Sequence, residues 1–360
     1  MKYPHLAVPC VAALSALSCS PSTDLAPDAQ PGVKIVDVDP SYFVADALIE
    51  PITIETRLLS GGTEAPCYVI KTRSLPQEHP VGPFAPTTLA DDKDAGGIWF
   101  KDGEVHDVDG PFIKNMARLY DDDAWKLYCI DGSVRITETQ EAFEAAARPD
   151  VAPEFNNHVV EGRAEWVSGK VTTTIIPVTP VYTPAATALG GNRPRGGRPP
   201  RGERPGGPPP GRGEPGKRGG RRGPGGGGGG GQGGVGLAFN GVNFDPPAPL
   251  DAVLAAHTLA PFDDAGGHFN PHTGYHYHAA TGHTKEVAQA DGHAPMIGYA
   301  IDGFGIYAHL DDAGSRADGL DSVNGHSDGL RGYHYHAGPA GGNQVLKGFH
   351  GETGSITVTD

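Results

Sequence analysis

Gly274-Tyr275-His276-Tyr277-His278 recurs 58 residues later as Gly332-Tyr333-His334-Tyr335-His336, and each copy is preceded at the same offsets by Gly-His (Gly267-His268, Gly325-His326) and by an aspartate (Asp263, Asp321). Twelve of the sixteen histidines lie between His257 and His350, so imidazole is concentrated where the repeat is. In an extended strand, residues two apart share a face and stand roughly 6.5–7 Å apart. His276 and His278 then point one way and Tyr275 and Tyr277 the other, and the second copy repeats the arrangement. Neutral imidazoles packed in a core each need their own hydrogen-bond partner. A metal ion satisfies several of them at once. The expectation is one ion on which both copies converge, held by His276, His278, His334 and His336, with His268 and His326 as further candidates. His272, His283, His293 and His309 have no counterpart in the other copy and rank lower. The region contains no cysteine and only Met296, which argues against a soft Cu(I) store and leaves Zn or Cu(II). Four bound imidazoles would close the site; three would leave a position for an activated water.

Two residues outside the motif are candidates for catalysis. Asp302 sits in an Asp-Gly pair between the apolar arms 295–301 and 304–307, where it reads as a hairpin turn, as an acceptor for a ligand histidine, or as a general base beside the metal. His79 lies in the proline-rich stretch Pro76–Phe84. Two other readings of the motif stay open: an aromatic face packed inward with the histidines in water, and tyrosines that themselves face the ligand. No serine elbow and no phosphate loop is present, since the glycine run at 225–231 lacks a following Lys-Ser/Thr. Asp121-Asp122-Asp123 and Asp107–Gly110 complete no EF-hand spacing and read as turns.

The elements that must position these residues are short. Among 360 residues, 54 are Gly and 34 Pro, which suits strands joined by turns and disfavours long helices. Strands are expected within 50–75, small hairpins at Asp102-Gly103, Asp109-Gly110 and Asp131-Gly132, an edge strand at 171–183, and a hairpin around Asn240-Gly241. One helix is expected near 138–148, with Thr137 and Gln140 as a capping box and Pro149 as its stop. The fold class is therefore mainly β: a single β-rich domain of hairpins and irregular loops with one short helix. Residues 190–234, rich in Gly, Pro and Arg, have too little apolar surface to offset their ordering entropy and read as a disordered insertion.

Net charge is −15, which excludes nucleic acid as a partner of the folded part, although residues 193–222 carry ten Arg/Lys against two Glu. That tract suits a solvated linker or attachment to anionic surface polymers. Residues 1–19 read as an export signal ending in Ala16-Leu17-Ser18-Cys19, a lipoprotein-type site with Cys19 as the lipid acceptor, and 20–49 as a tether. Membrane contact would then be through the lipid alone. With Cys10 removed and Cys19 lipidated, Cys67 and Cys129 remain as an expected disulfide in an oxidising compartment.

The doubled Gly-Tyr-His-Tyr-His, the lead-ins Gly266–His268 and Asn324–His326, the centre Ile297–Phe304, Asn240-Gly241-Val242 and the Pro76–Phe84 loop resemble the YHYH-domain family. The resemblance runs from about residue 50 to 353. It implies one domain with an N-terminal half at 50–189 and a C-terminal half at 235–360 around the insertion, in an exported protein of the cell envelope. Many relatives carry cysteines near the Gly-His lead-ins and near Phe349-His350-Gly351, where this chain has none. The reading favoured by the whole sequence is an exported, lipid-anchored transition-metal-binding protein. An extracellular metalloenzyme and a metal-free structural surface protein are the alternatives.

Overall fold

The computed structural model describes residues 37–147, 151, 153–189 and 233–360. The export signal with Cys10 and Cys19, the tether up to residue 36 and nearly all of the 190–234 insertion lie outside the described residues. The protein is mainly β. In chain order the strands are β1 (Thr53–Leu58), β2 (Glu64–Arg73), β3 (Ile98–Lys101), β4 (Glu104–Asp107), β5 (Val171–Pro177), β6 (Tyr182–Ala188), β7 (Gly236–Ala238) and β8 (Asn243–Phe244). They continue as β9 (Gly267–Asn270), β10 (Gly274–Tyr277), β11 (Met296–Ala300), β12 (Gly305–Tyr307), β13 (Gly325–Asp328), β14 (Gly332–His336), β15 (Gly348–Gly351) and β16 (Ser355–Thr359).

A four-stranded sheet has the order β1-β2-β5-β16. Alternation in β2 buries Ala65, Cys67 and Val69 on one face, as a half-buried strand requires. The stretch 171–183, expected at an edge, is instead split. Its first part, β5, is an interior strand between β2 and β16. Pro177 stands at the last position of β5, opposite Cys67, so the ladder loses no interior donor. Since β16 pairs with β5 and β15 with β6, elements from both sides of the insertion share sheets.

Asp102-Gly103 joins β3 to β4 as expected, but Asp109-Gly110 is no hairpin turn. Asp109 accepts a hydrogen bond from the Phe112 N–H and starts the helix α1 (Gly110–Lys114), followed by α2 (Met116–Leu119). The expected helix is α3 (Gln140–Ala146); its cap is Thr139, which accepts from the Ala142 N–H. Thr137 lies outside it and exchanges hydrogen bonds with the Glu161 backbone at 2.9 and 3.0 Å. A fourth helix, α4 (Leu250–Ala255), follows β8. The expected Cys67–Cys129 disulfide is absent, for both thiols are free. Cys67 is packed with Leu59, Val69 and Ile175, whereas Cys129 closes a turn with Ser133 and is half-buried.

The larger sheet carries the motif. Its order is β13-β14-β12-β11-β7-β8-β10-β9, eight strands in two mirrored sets of four. In each set an Asx-Gly hairpin (β7–β8 through Asn240-Gly241, β11–β12 through Asp302-Gly303) lends its second strand to parallel pairing with a motif strand, and that strand turns back on its own hairpin partner. Gly241 and Gly303 have φ of +86° and +99°, the turn conformation that favours glycine. The sets meet where β7 and β11 pair antiparallel, Gly236 opposite Ala300, Leu237 opposite Tyr299 and Ala238 opposite Gly298. Gly236 and Gly298 hold equivalent places in the two sets, as do Ala238 and Ala300. The pairing therefore maps onto itself about the Leu237–Tyr299 pair, a pseudo-two-fold axis through the middle of the sheet.

Candidate metal centres

In both motif strands every residue is buried, the tyrosines on one face and the histidines on the other. The expectation of a single shared ion does not survive the topology. β10 and β14 are separated by β8, β7, β11 and β12, five strand spacings or roughly 20–25 Å. The histidines gather into two groups, His268, His276 and His278 at one end of the sheet and His293, His326, His334 and His336 at the other, with ligating atoms in each group within 4.8 Å of one another.

Within the second group, His334 Nε2 lies 3.1 Å from His293 Nε2 and 3.0 Å from His326 Nε2, and His336 Nε2 lies 3.2 Å from His326 Nε2. Each ring's other nitrogen already has a partner. Nδ1 of His293, His326, His334 and His336 donates to the backbone carbonyls of Ala294, Asp318, Gly332 and Ala308 at 2.9–3.1 Å. A carbonyl only accepts, so the proton of each neutral ring belongs on Nδ1, and four Nε2 lone pairs face one another with no proton between them. Four acceptors in contact repel unless a cation stands among them. Four nitrogens about 2.0–2.1 Å from a tetrahedral Zn²⁺ stand about 3.3–3.4 Å apart, close to the observed spacing.

The first group is built from the same parts. His276 Nδ1 donates to Gly274 O at 3.1 Å and His278 Nδ1 to Pro246 O at 2.6 Å. The Ala260 carbonyl is the backbone group that acts on His268. These acceptors are the counterparts of Gly332, Ala308 and Asp318 in the second group. Nε2 of His276 and His278 meet at 3.0 Å. Phe262 stacks on His268 with ring centroids 4.7 Å apart and fixes its plane.

Burial favours the neutral, metal-binding form of five of these rings. It pushes His336 down to about 4, His334 and His293 below the ordinary imidazole range, and His268 and His278 well below it. The two groups differ at two positions. Where the second group has Tyr307 packed against His293 and His334, the first has Asp245, whose Oδ2 lies 3.8 Å from His276 Nε2 and whose carboxyl is pushed up by burial. The fourth imidazole, His293, has no partner in the first group; 62 residues earlier stands Gly231, outside the described residues.

His293 is the residue that sequence reasoning ranked too low. It arrives from the connector before β11, held by Arg331, which bridges Asp291 and Asp328 while its side chain is almost fully buried. Its one sequence signal is a third use of Gly-His, Gly292-His293, but Gly282-His283 shares that dipeptide and His283 is exposed. His272 is exposed as well, and His309 donates to Ala337 O without joining either group.

The two catalytic candidates lie on the tyrosine face. Asp302, fully buried, accepts from the Tyr335 hydroxyl at 2.6 Å and from Gly351 N at 3.0 Å, and burial lifts its carboxyl to about 6. His79 Nε2 meets the Tyr277 hydroxyl at 2.7 Å, which Asn240 also contacts at 2.7 Å. Tyr275 and Tyr333 donate to Asp263 and Asp321, the two aspartates that precede the copies. Asp302 thus supports a phenol rather than a ligand histidine.

Residues 229–318 match the family described as YHYH protein. The match supports a YHYH domain in this segment. The match takes in the first YHYH hairpin and the β11–β12 arm of the second set, and stops before the second YHYH hairpin at 325–336. No curated protein and no solved structure matches the chain.

Proposed function

We propose that this YHYH protein is an exported, lipid-anchored transition-metal-binding protein of the cell envelope in which each hairpin builds its own site for Zn or Cu. The observation that carries the reading is the second cluster: four imidazoles whose ligating atoms lie within 4.8 Å of one another, each ring held by a carbonyl behind it. That arrangement has no stable hydrogen-bonding alternative for neutral imidazoles. An all-imidazole donor set suits Zn²⁺ or Cu²⁺ over softer or harder ions. Cys19 would supply the membrane anchor, and the Arg/Gly tract contact with anionic surface polymers.

Elemental analysis of the purified chain after reconstitution tests the metal reading, with two ions per chain expected. Protein that stays metal-free with an unchanged Tm would overturn it. Detergent-phase partitioning that survives Cys19→Ser would reject the anchor. The three-imidazole makeup of the first cluster favours a second reading, an extracellular metalloenzyme, because three protein donors are the usual complement of a reactive zinc site.

A further inference from the structure

We propose that the two centres have divided roles: the second is closed and structural, while the first keeps one exchangeable coordination position, beside which Asp245 accepts a hydrogen bond from the bound water. This rests on the metal-binding reading above and goes further by assigning different chemistry to the two ends of one sheet. The observations are the differences between otherwise matched sites. Three matched imidazoles are common to both, two of them held by carbonyls in each, so both offer three donors to one ion. In the second centre the fourth vertex is filled from within the chain by His293, locked in place by the Asp291–Arg331–Asp328 bridge. In the first, no described histidine fills it.

Asp245 stands beside His276 and outside the donor set. A fourth ligand would lie about 3.3–3.4 Å from each of the three nitrogens, whereas Asp245 Oδ2 is 3.8 Å from His276 Nε2 and the set of donors within 4.8 Å excludes it. Its side chain is 15% exposed, and among the described residues no donor reaches its carboxylate within hydrogen-bond distance. A carboxylate that reaches solvent and has no protein donor takes its hydrogen bonds from water. A water on the adjacent ion would supply the missing donor. The ligand class that enters is then small and monodentate, water first and small anions by displacement.

Cobalt(II) and azide separate the possibilities. The full chain loaded with Co²⁺ should hold two ions, and azide should shift the visible bands of one of them only. His276→Ala should leave one cobalt per chain and abolish the azide response. His293→Ala, a change on a connector, should open the second centre and double the responding fraction. Asp245→Asn should retain both cobalts and tighten azide roughly tenfold, since it removes a like charge next to the bound anion. Two cobalts with no azide response, or an equal response at both, would overturn the division of roles. So would loss of one cobalt in Asp245→Asn, which would make Asp245 a ligand. Uptake of no cobalt at all would overturn the metal reading itself and this inference with it.

Discussion

The imidazole face and the phenol face of each motif strand are separated by one residue, yet they solve opposite problems. On the phenol face every hydroxyl of the motif has a partner within the chain: Tyr275 on Asp263, Tyr277 on His79 and Asn240, Tyr333 on Asp321, Tyr335 on Asp302 and the His350 N–H. On the imidazole face the carbonyls take one nitrogen of each ring and leave the other pointing at its neighbours. One face completes itself, and the other is complete only with a guest. The alternation Tyr-His-Tyr-His is thus a period-two code for a strand with a core on one side and a ligand on the other.

The largest expected break in this comparison is removal of the guest. Chelation of both ions should lower stability by roughly 2.7 kcal/mol per site relative to a hundredfold excess over Kd, read as a fall in Tm. His276→Ala and His334→Ala should each cost one ion, and because the centres lie far apart in the sheet the double variant should lose both additively. Non-additive loss would mean a single shared ion. On the phenol face, Tyr335→Phe leaves buried Asp302 and the His350 N–H each short of a partner. It should destabilise by about 1–3 kcal/mol with metal content unchanged, and a loss of metal would show the two faces to be coupled.

Acid should sharpen the contrast in metal-free protein. His336, near 4 when folded against roughly 6.5 unfolded, binds its proton more readily in the unfolded chain, as do the other depressed imidazoles. Stability should therefore fall as pH drops from about 6.5 towards 4. Asp302, at about 6 when folded, acts in the other direction, since its proton favours the folded state below that value and the benefit fades as pH rises through it. Denaturant titrations of the chain and of Asp302→Asn at pH 4.5 and 7.5 should show a steeper acid loss in the variant. The smallest effect is expected from Arg331→Ala, which frees the Asp291–Ala294 connector and should weaken the second centre alone, by about tenfold or less.

Much of this was legible in the sequence because the repeat exposes it. The shared face of His276 and His278, the opposite face of the tyrosines, and both Asx-Gly hairpins follow from period two and turn chemistry. The separation of the copies did not follow, because it depends on parallel pairing of β8 with β10 and of β12 with β14, long-range contacts that leave no local mark. His293 was hidden for the same reason, reaching its site through Arg331 across 40 residues rather than through a periodicity. The interior placement of β5 escaped notice because Pro177 suggests an edge until its position at the strand's last residue is known.

The self-mapping pairing of β7 with β11 has a further consequence. Two identical chains meeting across such a seam would form an isologous dimer, held together only at sufficient concentration and obliged to carry the same site twice. Fusing the units in tandem makes the contact intramolecular, at an effective concentration in the millimolar range for a short connector. It also releases each half from copying the other. His293, which has no described counterpart in the first group, and Asp245 against Tyr307 are differences that a symmetric pair of separate subunits could never hold.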